Sequence, residues 1–355
     1  MPEGNNRAEH LALDVHWTVK YKKLLLGDST ISRATCIFKV PGTLKMQNPQ
    51  AYKPYFFSLG PWHFGEPHLM EAQKYKMYSL EQLVRRFPSP DDKIKDLEET
   101  ISEALIEACE CYGGKGAINV YSREEFEKIF LLDGCFIIEM LRKRDGLIPT
   151  NYSEDACMSG PESQRKDKPL VELAIDVFYS IFSFDKLQIR SLKINHILDL
   201  AWYYVGSSSE QPRWGDEHLG QNRHNIPSAT SLREAGVKFR RVESRRILDI
   251  RFNNTEGVLE IPSLLIHPTT ETIFRSLISF EQCYRPHLPK LTCYAKLLNG
   301  LVDTPEDVDL LSREDIFNNW STPADVSDFL NRLHNGTHVD CLYYAGLCSD
   351  VRSYC

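Results

Sequence analysis

The sequence lacks the patterns that mark many membrane, secreted and nucleotide-dependent proteins. No run of 18 or more apolar residues occurs in its 355 residues, so no segment is predicted to span a bilayer. The N-terminal stretch has no apolar core of a signal peptide, which favours a cytoplasmic location and reduced thiols for the ten cysteines. The sequence also contains no G-x-S-x-G element, P-loop or dinucleotide-binding fingerprint.

An excess of basic residues is also missing. The net charge is -7 and the isoelectric point is near 5.9, whereas nucleic-acid-binding proteins normally carry a basic stripe or patch. We therefore predict no nucleic-acid partner. The net charge does not exclude a local basic patch, which the sequence offers at Arg240, Arg241, Arg245 and Arg246. The hydrophobic content of 42% is ordinary for a soluble globular protein.

The most distinctive stretch that is present runs from Ile129 to Leu141. All its residues are apolar except Asp133, Gly134 and Glu139. A helix that is apolar all round is normally buried, and a bilayer needs about 20 apolar residues, which this stretch does not reach. Ser122, with Glu125 three residues later, forms a capping box that starts the helix. The pattern predicts a central helix that brings two acids into a core.

Hydrophobic periodicity predicts a mainly α fold with a small antiparallel β-sheet (α+β), its strands lying near 237–266. Residues 1–32 are predicted to be a mobile arm and 33–355 a single domain. That domain has a helical first part (33–205), a linker (206–227) and a second part of strands and helices (228–355). Predicted helices cover about 70–87, 91–112, 122–144, 170–182, 194–205, 269–284, 290–302, 305–312, 323–334 and 340–354.

Two clusters of acids and imidazoles are weak candidates for metal ligands. His63, Glu66 and His68 have suitable side chains, but the zincin pattern needs two histidines four apart on a helix. These histidines lie five apart in a loop rich in Pro and Gly, so loop-fixing hydrogen bonds are the favoured reading. We predict no metal at this cluster.

The second cluster, Asp91, Asp92 and Asp96, resembles an aspartate-rich motif that holds Mg²⁺ against a diphosphate. Its spacing departs from the usual D-D-x-x-D, and no second metal motif follows. Negative side chains at the start of a predicted helix are also favourable to the helix dipole. Helix capping is the preferred interpretation.

Asp133 and Glu139 are six residues apart, so a helix places them about 120° apart and not on one face. Buried acids need partners, and Arg142 and Lys143 lie three and four residues after Glu139. We predict a structural role for both acids and no catalytic residue. An acid–base role is the alternative, with no substrate pocket to name.

Ten short segments form a specific combination. They are Ile37–Pro41, Asn48–Pro54, Ser58–Gly65, Leu69–Lys74, Phe126–Glu139, Ser228–Phe239, Leu248–Phe252, Val258–Pro262, Phe280–Tyr284 and Thr304–Val308. Together they resemble a plant-specific family, the "domain of unknown function 247" proteins, also called UPF0481. The resemblance covers about residues 33–355. It marks as structural motif residues Pro41, Tyr52, Gly60, Pro61, His63, Asp133, Gly134, Cys135, Phe136, Glu139, Glu260, Pro262 and Glu281.

The chain departs from the family pattern at two places. After the DGCFIIE helix, members usually carry a Leu-rich stretch that leads into ENQ and PFF. Here Arg142 leads through a polar loop directly to LVELA at Leu170. Members also usually end in one membrane helix, which this sequence does not contain before Cys355. We expect an internal deletion and a soluble chain.

The resemblance implies no assigned activity and no cofactor. Some grass members are implicated in self-incompatibility as recognition determinants. Our leading hypothesis is a non-enzymatic recognition or signalling protein with protein partners. The alternatives are a soluble enzyme of specialised metabolism that uses Mg²⁺ and a diphosphate, and a degenerate or truncated copy.

Overall fold

The structure of the protein is a computed structural model. It describes residues 35–112, 121–144, 172, 174, 194–206, 215–216, 226–244, 246–284, 286–319, 321–339 and 341–355. The chain forms two compact units. The first contains residues up to 39 and 54–150, and the second contains 40–53 and the residues from 151 onward.

Helices account for most of the regular structure. They are α1 (Gly42–Lys45), α2 (Met70–Val84), α3 (Pro90–Glu110), α4 (Arg123–Arg144), α5 (Ile197–Val205), α6 (Ala229–Glu234), α7 (Thr270–Cys283), α8 (Lys290–Leu301), α9 (Pro305–Arg313), α10 (Pro323–Leu333) and α11 (Ala345–Tyr354). Short 3₁₀ turns cover Pro49–Tyr52, Pro61–His63 and Pro67–Leu69. Each turn begins with a proline, whose missing N–H costs no hydrogen bond at the first helical position.

The strands are short. They are β1 (Gly215–Asp216), β2 (Lys238–Val242), β3 (Arg251–Asn253), β4 (Val258–Pro262), β5 (Leu264–Ile266), β6 (Phe317–Asn319) and β7 (Cys341–Leu342). The mainly α fold with a small β-element near 237–266 is therefore confirmed.

The strand pairing differs from the predicted antiparallel sheet. The central strand β4 pairs antiparallel with β3 but parallel with β2, giving the order β2-β4-β3. The connection between β2 and β3 contains the buried side chains of Ile247, Leu248 and Ile250. The chain then turns through the β3–β4 hairpin, which places β4 between β2 and β3. The alternating sequence pattern predicts strands but does not specify their order.

In the first unit, α2, α3 and α4 pack around two clusters of apolar side chains. Leu83, Leu131 and Cys135 form one cluster, and Leu105, Cys109 and Phe126 form the other. The predicted capping box is present, since the Ser122 amide donates to Glu125 (2.8 Å) and the Glu125 amide donates to Ser122 Oγ (3.2 Å). The apolar stretch Ile129–Leu141 thus forms the middle of α4.

The second unit is built mainly from α7, α8, α9 and α10, together with the mixed sheet. Its most buried large side chains include Tyr294 of α8 and Leu259 and Ile261 of β4. Residues 48–52 pack on α7, where Asn48 Nδ2 donates to Glu271 Oε1 at 2.8 Å. This contact positions the NPQAY motif of the sequence.

Three predicted elements fall wholly or largely outside the described residues. They are the arm at 1–32, most of the linker at 206–227 and most of the helix at 170–182. The other predicted helices agree with the structure to within a few residues, except that the segment predicted as 340–354 begins with β7 and becomes helical only at Ala345. The division into a helical first part and a β-containing second part stays a prediction.

Candidate functional site

The motif loop, defined as residues 54–69, is the part of the first unit where several sequence motifs meet. Its inward-facing aromatic rings contact α4 and the residues just before that helix. Phe57 lies 4.9 Å from Phe136, and Phe64 lies 5.8 Å from Tyr121 between ring centroids. Tyr121 Oη donates to the carbonyl oxygens of Pro61 (3.3 Å) and Phe64 (3.2 Å). These contacts fix the backbone of the loop against the helical core.

A buried ion pair lies beneath the motif loop. The side chain of Lys76, on α2, is only 1% exposed and pairs with Asp133 of α4. The Lys76 ammonium also donates to the Ser58 carbonyl at 2.6 Å, and the Gly60 amide donates to Asp133 Oδ2 at 2.6 Å. Burial raises the pKa of the Asp133 carboxyl, while the hydrogen bonds from Lys76 and Gly60 oppose that rise. One charged pair therefore joins α2, α4 and the loop.

Gly60 has a backbone conformation and a setting that favour glycine. Its φ of 73° lies in the left-handed region, and a Cβ there would lie 2.6 Å from Tyr112 Oη. The same residue donates its amide to Asp133. The SLGPWHFG motif therefore needs its glycine for the close approach of the loop to α3 and α4.

Glu139 pairs with a different partner from the predicted Arg142 and Lys143. Its carboxylate, nearly fully buried, accepts a bidentate pair of hydrogen bonds from Arg86, just beyond α2. The sequence pointed to the two nearby cations, whereas helix packing brings to the acid an arginine that lies 53 residues earlier in the chain. Planar guanidinium–carboxylate pairs of this kind are geometrically specific.

His63, Glu66 and His68 come together, but as a hydrogen-bonded group. His63 Nδ1 donates to Glu66 Oε1 at 2.6 Å, and His68 Nε2 donates to the Pro54 carbonyl at 3.1 Å. The second Glu66 oxygen lies 3.6 Å from His68 Nδ1. Within the described parts of the chain, no group of three His, Cys, Asp or Glu side chains is arranged to hold a metal ion.

The aspartates at the start of α3 are exposed and have local contacts. Ser89 Oγ donates to Asp92 Oδ2 at 2.6 Å, and Asp96 lies 3.8 Å from Lys93 Nζ. Asp91 and Asp92 occupy the first helical turn, where negative charge is favourable. This geometry supplies a helix start and a surface ion pair, not a converging carboxylate set.

Other motif residues have packing or backbone roles. Cys135 is buried, and burial followed by the nearby Glu139 raises the pKa of its thiol to about 11, which disfavours a nucleophilic thiolate. Pro41 directly precedes α1. Tyr52 hydrogen-bonds Arg275, and burial raises the pKa of its phenol. Arg240 donates to Glu260 at 3.1 Å, and Pro262 ends β4.

Glu281 is the most highly connected motif acid of the second unit. Its Oε1 accepts from Trp202 Nε1 (2.7 Å) and the Leu291 amide (2.9 Å). Its Oε2 accepts from the Thr292 amide (2.9 Å) and Thr292 Oγ1 (2.8 Å). Burial raises the pKa of this carboxyl, and the four donated hydrogen bonds oppose the rise. The acid of α7 thus caps the N-terminus of α8, where negative charge is favourable.

A buried histidine–aspartate pair lies next to Glu281 and was not predicted from the sequence. His287 Nε2 donates to Asp199 Oδ1 at 2.7 Å, and both side chains are nearly inaccessible. The imidazole stacks on Trp202 at 3.7 Å and has the rings of Tyr203, Phe280 and Tyr284 against its edges or faces. The only sequence signal was a His–aromatic spacing within 280–287, which is too common to be diagnostic.

Asp307 joins two further motifs of the second unit. Oδ1 accepts from the amide and the hydroxyl of Thr230, each at 2.8 Å. Oδ2 accepts from the amides of Asp303 and Thr304, each at 3.0 Å. Burial alone would raise the pKa of this carboxyl, but these hydrogen bonds outweigh it and hold the pKa below its ordinary value.

We expect Asp307 to contribute a pH-dependent part of the stability. A carboxyl whose pKa is lowered by folding stabilises the protein above the unfolded pKa of about 4, and loses that contribution as pH falls through the folded pKa. In D307N the free energy of unfolding should fall by about 1–3 kcal/mol at pH 7. The difference from wild type should shrink below pH 4. Urea unfolding at pH 7, 5 and 3 measures both changes; a difference that grows at low pH would contradict this assignment.

Comparison with known proteins identifies the family that carries these motifs. The family model DUF247, described as plant protein of unknown function, matches residues 37–161 and 156–355. The chain belongs to this family. The sequence resemblance is therefore confirmed over almost the whole chain, and the family has no assigned biochemical role.

Two DUF247 relatives from Arabidopsis thaliana illustrate the distance within the family. The UPF0481 protein At3g47200 is 26% identical over 386 residues, covering 93% of this chain and 79% of the relative. The putative UPF0481 protein At3g02645 is 21% identical over 436 residues, covering 89% of this chain and 81% of the relative. Both alignments are longer than the chain itself, so the relatives contain internal residues with no counterpart here. No solved structure matches.

Of the DUF247 helices described here, including the 22-residue α4, none is long and apolar enough to cross a bilayer.

Gly134 of the DUF247 motif lies mid-way along α4 and has space around it. A Cβ on this glycine would meet no heavy atom within 4 Å. Because glycine destabilises a helix interior relative to alanine, G134A should raise the free energy of unfolding by about 0.5–1 kcal/mol. Urea denaturation of G134A and of G60A measures the change in the free energy of unfolding of each variant. The Gly60 variant should lose stability, and a loss in G134A would mean that its surroundings are closed.

Proposed function

We propose that this DUF247 protein is a non-enzymatic recognition or signalling protein that binds a protein partner through the outward side of the motif loop. The observation that carries the proposal is the exposure of two neighbouring aromatic residues on a loop whose inner side is fixed. Tyr55 and Phe56 are 67% and 83% exposed, and Leu59 is 40% exposed.

The energetics of exposed aromatic side chains support binding. Tyr and other aromatic residues are enriched at protein interfaces, where each large ring removes much apolar surface from water at a low cost in conformational entropy. The loop backbone is already fixed by Phe57, Phe64 and the Asp133–Gly60 hydrogen bond. A fixed backbone lowers the ordering cost of association.

The roles of the motif acids also support this proposal over catalysis. Asp133, Glu139 and Glu281 are each held by cations or by several hydrogen-bond donors within the fold. A carboxylate that is occupied in this way by partners within the fold is not available to a substrate. No contact of Asp91, Asp92 or Asp96 favours the diphosphate alternative over helix capping.

A comparison of matched variants tests the proposal. Tagged wild type, Y55S/F56S and the control E71A/K74A are used to capture proteins from tissue of the source plant. Glu71 and Lys74 are exposed on α2 and pair only at the surface (2.9 Å). Wild type and control should retain the same partner, whereas Y55S/F56S should lose it.

Binding must then be reproduced with purified components. Titration calorimetry should give an affinity for the captured partner that falls at least about 10-fold in Y55S/F56S, equivalent to about 1.4 kcal/mol. Equal affinity of both variants would reject the loop as the binding surface. Absence of any partner, combined with turnover of a small molecule, would reject the recognition role. A thermal scan without a cooperative transition would instead favour the degenerate-copy hypothesis.

A further inference from the structure

Two cysteines far apart in the sequence are held together by backbone hydrogen bonds in the first unit. The amides of Cys36 and Ile37 both donate to the carbonyl oxygen of Cys111, at 2.9 and 2.8 Å. Ile37 and Tyr112 form a parallel β-bridge. Cys36 and Cys111 are the residues that directly precede this bridge in the two segments.

This pairing has the backbone spacing that a disulfide requires. An amide that donates directly to a carbonyl oxygen holds the Cα atoms of the two residues roughly 5–6 Å apart, because each Cα lies within two covalent bonds of the hydrogen-bonded N or O atom. Disulfides usually join residues with Cα separations of about 4.4–6.8 Å.

The neighbouring Cys109 is not equivalent to Cys111. Two residues on a helix are about 200° apart, so Cys109 faces the opposite side of α3. There it is buried with Leu105 and Phe126. Cys111 is half-buried at the end of the helix, and its thiol donates to the Glu107 carbonyl at 3.5 Å. Cys36 is 2% exposed. Cys111 is therefore the member of the pair that a reagent in solution reaches first.

We propose that Cys36 and Cys111 are a thiol modification site that forms a reversible intramolecular disulfide with a low-molecular-weight disulfide such as oxidised glutathione. The Cys111 thiolate attacks one glutathione sulfur, forming a mixed disulfide and releasing one glutathione thiolate. The Cys36 thiol then loses its proton and attacks Cys111 Sγ, which forms the Cys36–Cys111 bond and releases the second glutathione. The two protein thiols are oxidised, and one glutathione disulfide is reduced to two thiols.

The cross-link would close a long loop that contains the motif loop, α2 and all of α3. Long-loop cross-links restrict the unfolded chain most strongly, so oxidation should raise the thermal stability of the first unit. The segment that leads into the motif loop would then be tied covalently to the end of α3. Cytosolic disulfides of this kind are normally transient, which fits a redox-responsive contact and not a permanent one.

The test equilibrates the full-length chain with glutathione buffers of increasing oxidised-to-reduced ratio. Remaining thiols are alkylated, and the protein is digested without reduction and mapped by mass spectrometry. The expected result is a Cys36–Cys111 peptide pair whose fraction rises with the ratio and reverses on reduction. C111S should abolish it. C283S, which changes another half-buried thiol, is the matched control and should leave it unchanged.

The exposed Cys355 provides an internal check, because its glutathionylation shows that the oxidant is active. If Cys355 is modified at every ratio but no Cys36–Cys111 pair forms, the proposal is overturned. A cross-link from Cys36 that persists in C111S would also overturn it, since Cys109 would then be the partner. The wild-type peptide map decides the outcome even if a cysteine variant folds poorly.

Discussion

Replacement of Lys76 by methionine is expected to lower the free energy of unfolding of the first unit by about 3–5 kcal/mol. Methionine fills much of the volume of the lysine chain but removes the ammonium that pairs with Asp133 and donates to the Ser58 carbonyl. The carboxylate of Asp133 then stays buried with only the Gly60 amide as its identified donor. This loss is a large share of a typical stability of about 5–15 kcal/mol.

Hydrogen exchange measured along a urea series locates the effect in α2, α4 and the motif loop. The double variant K76M/D133N should be less destabilised than K76M, because the asparagine is neutral and its carbonyl still accepts from Gly60. The matched control K74M removes an exposed lysine two residues away, whose pair with Glu71 is worth less than about 0.5 kcal/mol. Equal losses in K74M and K76M would show that burial of the Lys76–Asp133 pair contributes nothing.

The predictable parts of this fold are those encoded by local sequence. The capping box of Ser122 and Glu125, and the start of α3 at Pro90, depend on residues within one or two helical turns. Periodic apolar residues likewise located α7–α10, and the almost entirely apolar stretch Ile129–Leu141 located α4. Local rules sufficed here because the physical causes, hydrogen bonds to free helix amides and one-sided burial, lie close together in the chain.

The parts that sequence did not supply depend on long-range contacts. Glu139 has two cations within four residues in the sequence, yet it pairs with Arg86, 53 residues away. The Lys76–Asp133 pair and the parallel pairing of β2 with β4 likewise join distant segments. Helix packing determines these partners, and that packing cannot be inferred from a single sequence. The resemblance to the family marked Asp133 and Glu139 as important but did not reveal what they contact.

The second large expected effect is at Glu281. In E281A, four donors lose their acceptor: Trp202 Nε1, the Leu291 amide, and the amide and hydroxyl of Thr292. A buried donor left unsatisfied costs about 1–3 kcal/mol. Since solvent and local shifts recover part of this, we expect a loss of about 3–5 kcal/mol, measured by urea unfolding with hydrogen exchange over α7 and α8.

Two milder variants distinguish the number of acceptors from the charge. E281Q keeps the shape but replaces one acceptor oxygen with an NH₂ group, so two of the four donors lose their partner. W202F removes one donor and leaves both oxygens of Glu281, while a phenyl ring can still stack on His287. The expected order of destabilisation is therefore E281A, then E281Q, then W202F. If W202F were the most damaging of the three, the indole packing around His287, and not the Glu281 cap of α8, would be the main stabilising feature of this motif.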